Sequence, residues 1–493
     1  MKTWIAGLSL FLAGSGALAQ SALRLKACGA RPCASRGIAQ PRSILPRQHY
    51  ILQFDSYPGP ETRAALARRG VRILGYVPDS ALMVSAGEGA DLAGLKVAWA
   101  GSLQAADKLS PSLEASGKSA LLVIFHADVD MDEARRLVDA DGFTIIANPD
   151  LLPGQIVVAG DGRVAELASS DDVAYILPAS TDLVAGTPLM ACAGPLTEAG
   201  PVGEYATVGS GWAKDAAGGV SLHYFFQSLT DKLQESVVRG EVERAFRAWE
   251  AYANVRFVAG SMANAVRTVA ILFARGGHGD GFAFDGPGGV LAHTFYPAPP
   301  NAEPIAGDLH LDADENWHAG TTTDLFSVAL HEAGHALGLG HSSRPGAVMY
   351  PYYRLSSALT DDDIAGIRAL YGSDGMQPPA QPPVQPPVSP PSPSPPSPPP
   401  VKDTTAPSLS ITSPGVTIVS TSAASIRVAG SASDNVGVAS VKWTTSNGNG
   451  GTASGSTSWS ADVPLYVGNT VVTVRAYDAA GNWSWRAVTV VRR

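Results

Sequence analysis

The sequence predicts an α+β chain of several domains, and three observations carry that reading. Between Trp212 and Gly372 an extended run, an amphipathic helix, further strands, ligand-rich loops and two closing helices follow one another, the order of a twisted mixed sheet with helices packed on it. Before it, a strand–helix–strand–strand pattern occurs twice between His49 and Leu177. After it, a Pro-rich run gives way to short β-rich segments separated by Gly, Ser, Asn and Asp, the pattern of a β-sandwich. A chain of 493 residues is also too long for one core.

Met1–Ala19 holds one lysine, an apolar run from Trp4 to Leu12 and a small-residue exit at Ala17-Leu18-Ala19. That combination predicts a secretory signal (1–19) rather than a membrane span. No later stretch approaches the roughly 18 uninterrupted apolar residues of a span, so an exported, extracellular protein without a membrane segment is expected. The net charge of −9 argues against nucleic acid as a partner.

Residues 20–195 read as a pro-region with an internal duplication. In the half at about 49–111, strands are expected at His49–Phe54, Val71–Val77, Leu82–Ser85 and Val97–Ala100, with helices at Glu61–Arg69 and near Ala90–Leu95. In the half at about 119–178, strands are expected at Ala120–Phe125, Phe143–Ala147, Gln155–Ala159 and Val173–Leu177, with helices at Met131–Ala140 and Arg163–Ser169. Each half is a βαββαβ unit. The chain has three cysteines; Cys28 and Cys33 are spaced to close a small disulfide in an exported protein, which leaves Cys192 odd.

The central unit (196–373) opens with an extended stretch at Val220–Phe226. An amphipathic helix at about Leu233–Tyr252 follows, with Val237, Val238, Val242, Ala245, Phe246 and Trp249 as candidate core. The loops beyond the strand at Val269–Phe273 carry two ligand sets. His278, Asp280, His293 and His310 form a closed N/O set suited to a structural zinc. Asp285, Asp312 and Glu315, beside a glycine-rich turn, form an oxygen set suited to calcium.

His331-Glu332-Ala333-Gly334-His335-Ala336-Leu337-Gly338-Leu339-Gly340-His341 is the most specific segment of the chain. Residues four apart share a helix face, so His331 and His335 can offer two imidazoles to one ion. Gly338 is free to take the left-handed conformation that ends a helix and brings His341 round as a third ligand. Three neutral imidazoles leave a zinc ion one open position for a water, and Glu332 beside it is the candidate general base. A structural site would close with four protein ligands, whereas this motif supplies three beside a carboxylate. Peptide hydrolysis is the expected chemistry.

Ser342 to Tyr353, with Met349-Tyr350-Pro351-Tyr352-Tyr353, resembles the matrixins, the matrix metalloproteinase branch of the metzincins. Leu359 to Gly372 resembles their closing helix, with Thr360 as cap and Gly372 as stop. The resemblance implies that Met349 turns beneath the zinc and that Pro351 to Tyr353 walls the pocket for the residue after the scissile bond. Leu291 and Ala292 would lie on the edge strand that pairs an extended polypeptide substrate. It adds the carbonyls of Gly286, Gly288 and Val290 to the calcium shell. For a second calcium the family's Asp is replaced by Thr268, and the loop Ala298–Pro304 is altered, which leaves Asp308 as the one clear side-chain candidate. Zymogens of the family hold a propeptide cysteine on the zinc, and Cys192 sits where such a residue falls. The family's surrounding motif, with its anchoring arginine, is absent; the alternative is an inert buried thiol. If Cys192 is that ligand, activation requires cleavage near Gly194–Gly209. The βαββαβ halves resemble the small ferredoxin-like propeptides of secreted proteases, which implies inhibition or folding assistance.

Residues 374–402, almost wholly Pro, Ser, Gln and Val over Gln377–Pro400, read as an extended polyproline linker. Residues 403–493 read as a cysteine-free β-sandwich with strands at Ser425–Ala429, Ala439–Thr444, Thr470–Tyr477 and Ala487–Val491, and resemble immunoglobulin-like modules of secreted hydrolases. Trp443, Trp459, Trp483 and Trp485 are core in one reading and a surface for a polymer or cell-wall ligand in the other. The whole predicts a monomeric, secreted, zinc-dependent and calcium-dependent endopeptidase made as a zymogen. The alternative is a surface-binding protein built on an inactive metalloprotease scaffold.

Overall fold

The computed structural model describes residues 18–20, 23, 25–28, 36–46, 48–113, 120–148, 150–160, 162–185, 190–204, 211–373, 405–416, 418–445, 450–465, 468–480 and 482–492. Most of the expected signal, Cys33 with its expected bond to Cys28, the segment 205–210 and the linker lie outside them.

The duplicated pattern folds into two antiparallel sheets of the same strand order. The first contains β1 (His49–Phe54), β2 (Val71–Val77), β3 (Ala81–Ala86) and β4 (Val97–Gly101), with α1 (Pro60–Arg68) between β1 and β2, in the order β4-β1-β3-β2. Short strands Arg36–Ala39 and Leu18–Gln20 extend its β4 edge. The second contains β5 (Leu121–Phe125), α2 (Met131–Ala140), β6 (Thr144–Ile146), β7 (Gln155–Ala159), α3 (Val164–Ser169) and β8 (Val173–Pro178), in the order β8-β5-β7-β6. Every residue of β3, β5 and β8 is buried, because each sheet is covered on both faces. One shared core joins Ile51, Met83 and Trp99 of the first sheet to Leu122, Val157 and Tyr175 of the second. Separate cores lie beneath α1 and beneath α2 and α3.

The helix expected near Ala90–Leu95 is not formed. Ala90–Asp91 instead pairs with Ser43–Ile44, and Gly89 and Gly94, at φ +81 and +79, hold backbone conformations that a helix cannot contain. A second tie joins the halves: His49 contacts Asp171 Oδ2 through Nδ1 at 2.8 Å and Asp128 Oδ1 through Nε2 at 2.9 Å, and stacks on His126 at 4.0 Å. Burial alone would lower the His49 pKa; the two aspartates outweigh it and raise the ring to about 9.

The central unit holds a seven-stranded sheet. In chain order its strands are β9 (Ala191–Thr197), β10 (Gly200–Pro201), β11 (Val220–Phe226), β12 (Val255–Ala259), β13 (Thr268–Ala274), β14 (Val290–Phe295) and β15 (Leu309–Asp312). Their spatial order is β10-β9-β14-β15-β13-β11-β12. α4 (Glu235–Glu250) buries Val238, Val242, Ala245, Phe246 and Trp249 against α5 (Leu325–Ala336) and the sheet, while Val237 is only half-buried. α6 (Asp361–Tyr371) closes the unit, with Gly372 at φ +69 just past its end. β9 spans the boundary drawn at 195/196 and pairs in parallel with β14.

In the tail, a three-stranded sheet and a five-stranded sheet share one core that includes Val428, Val441, Trp459, Val474 and Val490. Trp459 and Trp485 are buried; Trp443 and Trp483 are half-buried. Trp485 donates its indole N–H to Asp150 Oδ2. Among the described residues no helix is long and apolar enough to cross a membrane.

Candidate metal centre and active site

α5 runs through the core with all twelve residues buried. Asp324 caps it by accepting from the Ser327 N–H at 3.0 Å. One turn apart, His331 and His335 meet edge to face with ring centroids at 4.6 Å. The helix stops where Gly338 takes φ +101, and a Cβ there would come within 2.9 Å of the Gly211 Cα, so two independent demands fix glycine. The turn carries His341 to 4.9 Å from the His335 ring and 5.4 Å from the His331 ring.

Cys192 completes the group: the ligand atoms of Cys192, His331, His335 and His341 all lie within 4.8 Å of one another. His331 and His335 direct Nδ1 to the carbonyls of Val348 and Leu339 at 2.7 and 2.8 Å, and His341 directs Nδ1 to Glu204 Oε1 at 2.7 Å. With Nδ1 protonated in each ring, three Nε2 lone pairs point inward; two are 3.0 Å apart, and that of His341 is buried without a hydrogen-bond partner. Converging lone pairs in a buried site repel unless a cation lies between them, and a sulfur beside three nitrogens is a donor set suited to zinc.

Glu332 is fully buried. Its Oε2 accepts from the Thr294 hydroxyl at 2.6 Å, and Oε1 has no partner. Burial raises its pKa to about 7, while the neighbouring Cys192 thiol and Thr294 hydroxyl act to lower it. Burial, with Glu332 adjacent, pushes the Cys192 thiol up. Met349 lies beneath the helix, its sulfur filling the space a side chain at Gly334 would need. The Asp363 carboxylate accepts from the Val348 and Met349 N–H groups at 3.0 Å each and so fixes that turn.

The segment from Met190 runs between β14 and the segment Pro351–Tyr353. Ala191 N–H donates to Gly289 O at 2.8 Å, and Cys192 stands opposite Ala292 in the register with β14. On the other side, Cys192 N–H donates to Pro351 O at 3.1 Å and Tyr353 N–H to Met190 O at 2.8 Å. Behind Cys192 a pocket is lined by Leu291, Val328, His331, Tyr353 and Ser356. Tyr350, Pro351 and Tyr352 line it as well, and both tyrosines also pack into the core between the two antiparallel sheets. Asn301, in the altered loop, donates to Leu196 O at 2.8 Å and accepts from Glu198 N–H at 2.9 Å.

In the second cluster Asp280 Oδ2 lies 2.7, 2.8 and 2.8 Å from His278 Nε2, His293 Nε2 and His310 Nδ1. Three nitrogens around one carboxylate oxygen fit a zinc ion. Nearby, Asp285, Asp312 and Glu315 wrap the 285–290 loop, accepting from the N–H groups of Val290, Gly286 and Gly288. Burial, then Asp312 and Asp285, push the Glu315 carboxyl up to about 8; packed carboxylates of this kind fit a calcium ion. Asp308 directs Oδ1 to the Ala270 N–H at 2.8 Å, and burial with Glu303 nearby raises it to about 8. Glu204, Thr294, Asn301 and Asp363 were not singled out by the sequence reading. Only Asp363 had a sequence signal, the capping box with Thr360.

Residues 211–372 match the family model described as Matrixin, and residues 24–104 match one described as a domain of unknown function. Over 156 residues the chain is 46% identical to the hatching enzyme of Paracentrotus lividus, covering 31% of this chain and 25% of that protein. It is 45% identical over 155 residues to matrilysin of Rattus norvegicus (30% and 56% covered) and 41% identical over 165 residues to neutrophil collagenase of Homo sapiens (32% and 34% covered). The chain thus spans between 25% and 56% of the length of these relatives. Residues 211–372, from Gly211 before the central sheet's β11 to the end of the closing helix, are thus similar to a matrixin domain, the domain of matrix metalloproteinases.

Proposed function

We propose that the chain is a secreted zinc endopeptidase, produced as a zymogen in which Cys192 occupies the fourth position on the metal. The observation that carries the reading is the convergence of Cys192 with His331, His335 and His341 beside a buried Glu332. A zinc ion held there would supply electrophilic activation of a peptide carbonyl and of a water molecule. Glu332, its Oε2 fixed by Thr294, takes a proton at Oε1 and returns it to the leaving amine. Once β9 has left, the edge of β14 at Leu291 and Ala292 accepts an extended polypeptide, and the pocket walled by Tyr353 receives the side chain after the scissile bond.

In this reading residues 20–204 are an inhibitory pro-region of two ferredoxin-like units, the 205–210 segment contains the activation site, and a Pro-rich linker leads to an immunoglobulin-like tail. The His278 cluster holds a structural zinc and the 285–290 loop a calcium ion; Asp308, tied to the Ala270 N–H, holds a strand in place instead. Quenched peptides incubated with the full chain after limited proteolysis test the proposal, with Glu332→Ala in parallel. Cleavage that disappears in the variant while zinc stays bound supports it. A cut, zinc-loaded chain that cleaves nothing would favour a surface-binding protein on an inactive scaffold.

A further inference from the structure

The three histidines of the motif all place Nδ1 on an acceptor, but the acceptors differ in kind. Those of His331 and His335 are main-chain carbonyls of the matrixin-like domain. That of His341 is a carboxylate, Glu204, contributed from upstream of the 205–210 segment. The pair is shielded, with side-chain exposures of 2% for His341 and 21% for Glu204. Lys26 Nζ, from the chain's N-terminal stretch, lies 3.8 Å from the other Glu204 oxygen and 5.3 Å above the Tyr175 ring.

A carboxylate on Nδ1–H fixes the tautomer as a carbonyl does, and its charge makes Nε2 a stronger donor. We infer that Glu204 is a positioning residue for the metal of the latent chain: through His341 it tightens the site, and its departure with the upstream segment loosens it. Glu204 also does what the absent arginine motif does elsewhere, anchoring the inhibitory segment, but on a metal ligand rather than within the segment itself. The inference rests on the reading of Cys192 and the three histidines as zinc ligands.

The test uses the full chain carrying Glu332→Ala, so that it cannot cut itself, loaded with cobalt(II) in competition with a chelator of known affinity. Glu204→Gln keeps the shape and removes the charge. Affinity is expected to fall about ten- to a hundredfold, with the thiolate-to-cobalt absorption band of Cys192 retained. Glu204→Asp, which keeps the charge but withdraws it by one methylene, is expected to fall between and decides the matter if the glutamine variant does not fold. Unchanged affinity overturns the inference, and so does loss of the thiolate band together with the affinity, which would make Glu204 only a docking contact. A parent chain that binds no cobalt, or binds it without a thiolate band, overturns the zinc-ligand reading instead.

Discussion

Tyr352, in the wall segment of the cleft, donates its hydroxyl to Gln155 Oε1 at 2.6 Å, 197 residues away in the second antiparallel sheet. The Tyr352 hydroxyl oxygen in turn accepts from the Leu152 N–H at 3.1 Å. Two side chains of the matrixin-like domain, Tyr350 and Tyr352, are therefore part of the core that holds the upstream units together. Tyr352→Phe removes both part-buried hydrogen bonds and takes this partner from the Leu152 N–H and the Gln155 oxygen, a cost of about 1–2 kcal/mol. The expected result is faster alkylation of Cys192 in the uncut chain, by roughly five- to thirtyfold if opening of this interface limits access; an unchanged labelling rate would mean that the contact does not hold the cleft closed.

Thr294→Val should separate the position of the Glu332 carboxylate from its presence. The hydroxyl that fixes Oε2 disappears while side-chain volume is nearly kept. Activated enzyme is expected to lose about tenfold in kcat, with KM and zinc content unchanged. An equal fall in zinc content would assign Thr294 to the fold of the site instead.

His49 gives the pH dependence of the upstream pair of sheets. The folded ring titrates at about 9, above its ordinary 6.5, so its ion pairs stabilise fully below about pH 6.5 and the contribution disappears as pH rises through about 9. A shift of that size corresponds to something on the order of 3 kcal/mol. Wild type and His49→Gln should therefore differ most in thermal stability near pH 6 and converge toward pH 10. Parallel curves across that range would show that the ring's charge is not what joins Asp128 to Asp171.

Gly289→Ala addresses the carboxylate-rich loop. Gly289 sits at φ +95, and a Cβ there would lie 2.2 Å from Asp285 Oδ2. The substitution forces both the backbone and a candidate ligand to move. The rise in melting temperature on adding calcium should shrink or vanish relative to wild type; an undiminished rise would remove Asp285 from the calcium shell.

The central site was legible because its determinants are local. Three histidines at offsets of four and six residues, with a glycine between, fix a helix face and a turn whatever the rest of the chain does. Periodicity also gave both upstream sheets, whose strands form within a residue or two of the expected positions. The expected helix at Ala90–Leu95 did not form because the apolar spacing there competes with Gly89 and Gly94, whose left-handed backbone ends any helix. What the sequence could not supply were partners joined only by the fold. Glu204 meets His341 across 137 positions and Thr294 meets Glu332 across 38, and no spacing rule connects either pair. The place of β9 in the central sheet was hidden for the same reason, since a strand's neighbours are set by tertiary pairing and not by its own pattern.

The parallel ladder between β9 and β14 bears on the activated form proposed above. While β9 is present, the peptide groups along β14 have a neighbour on that side. Its removal turns an interior strand into a boundary strand with a row of unanswered donors and acceptors, the template on which extended chains assemble. Molecules activated in the proposed way and without substrate would carry a sticky border, and concentrated samples would be prone to pair through it with one another. An extended peptide laid along that border would serve as a solubility aid as well as a ligand.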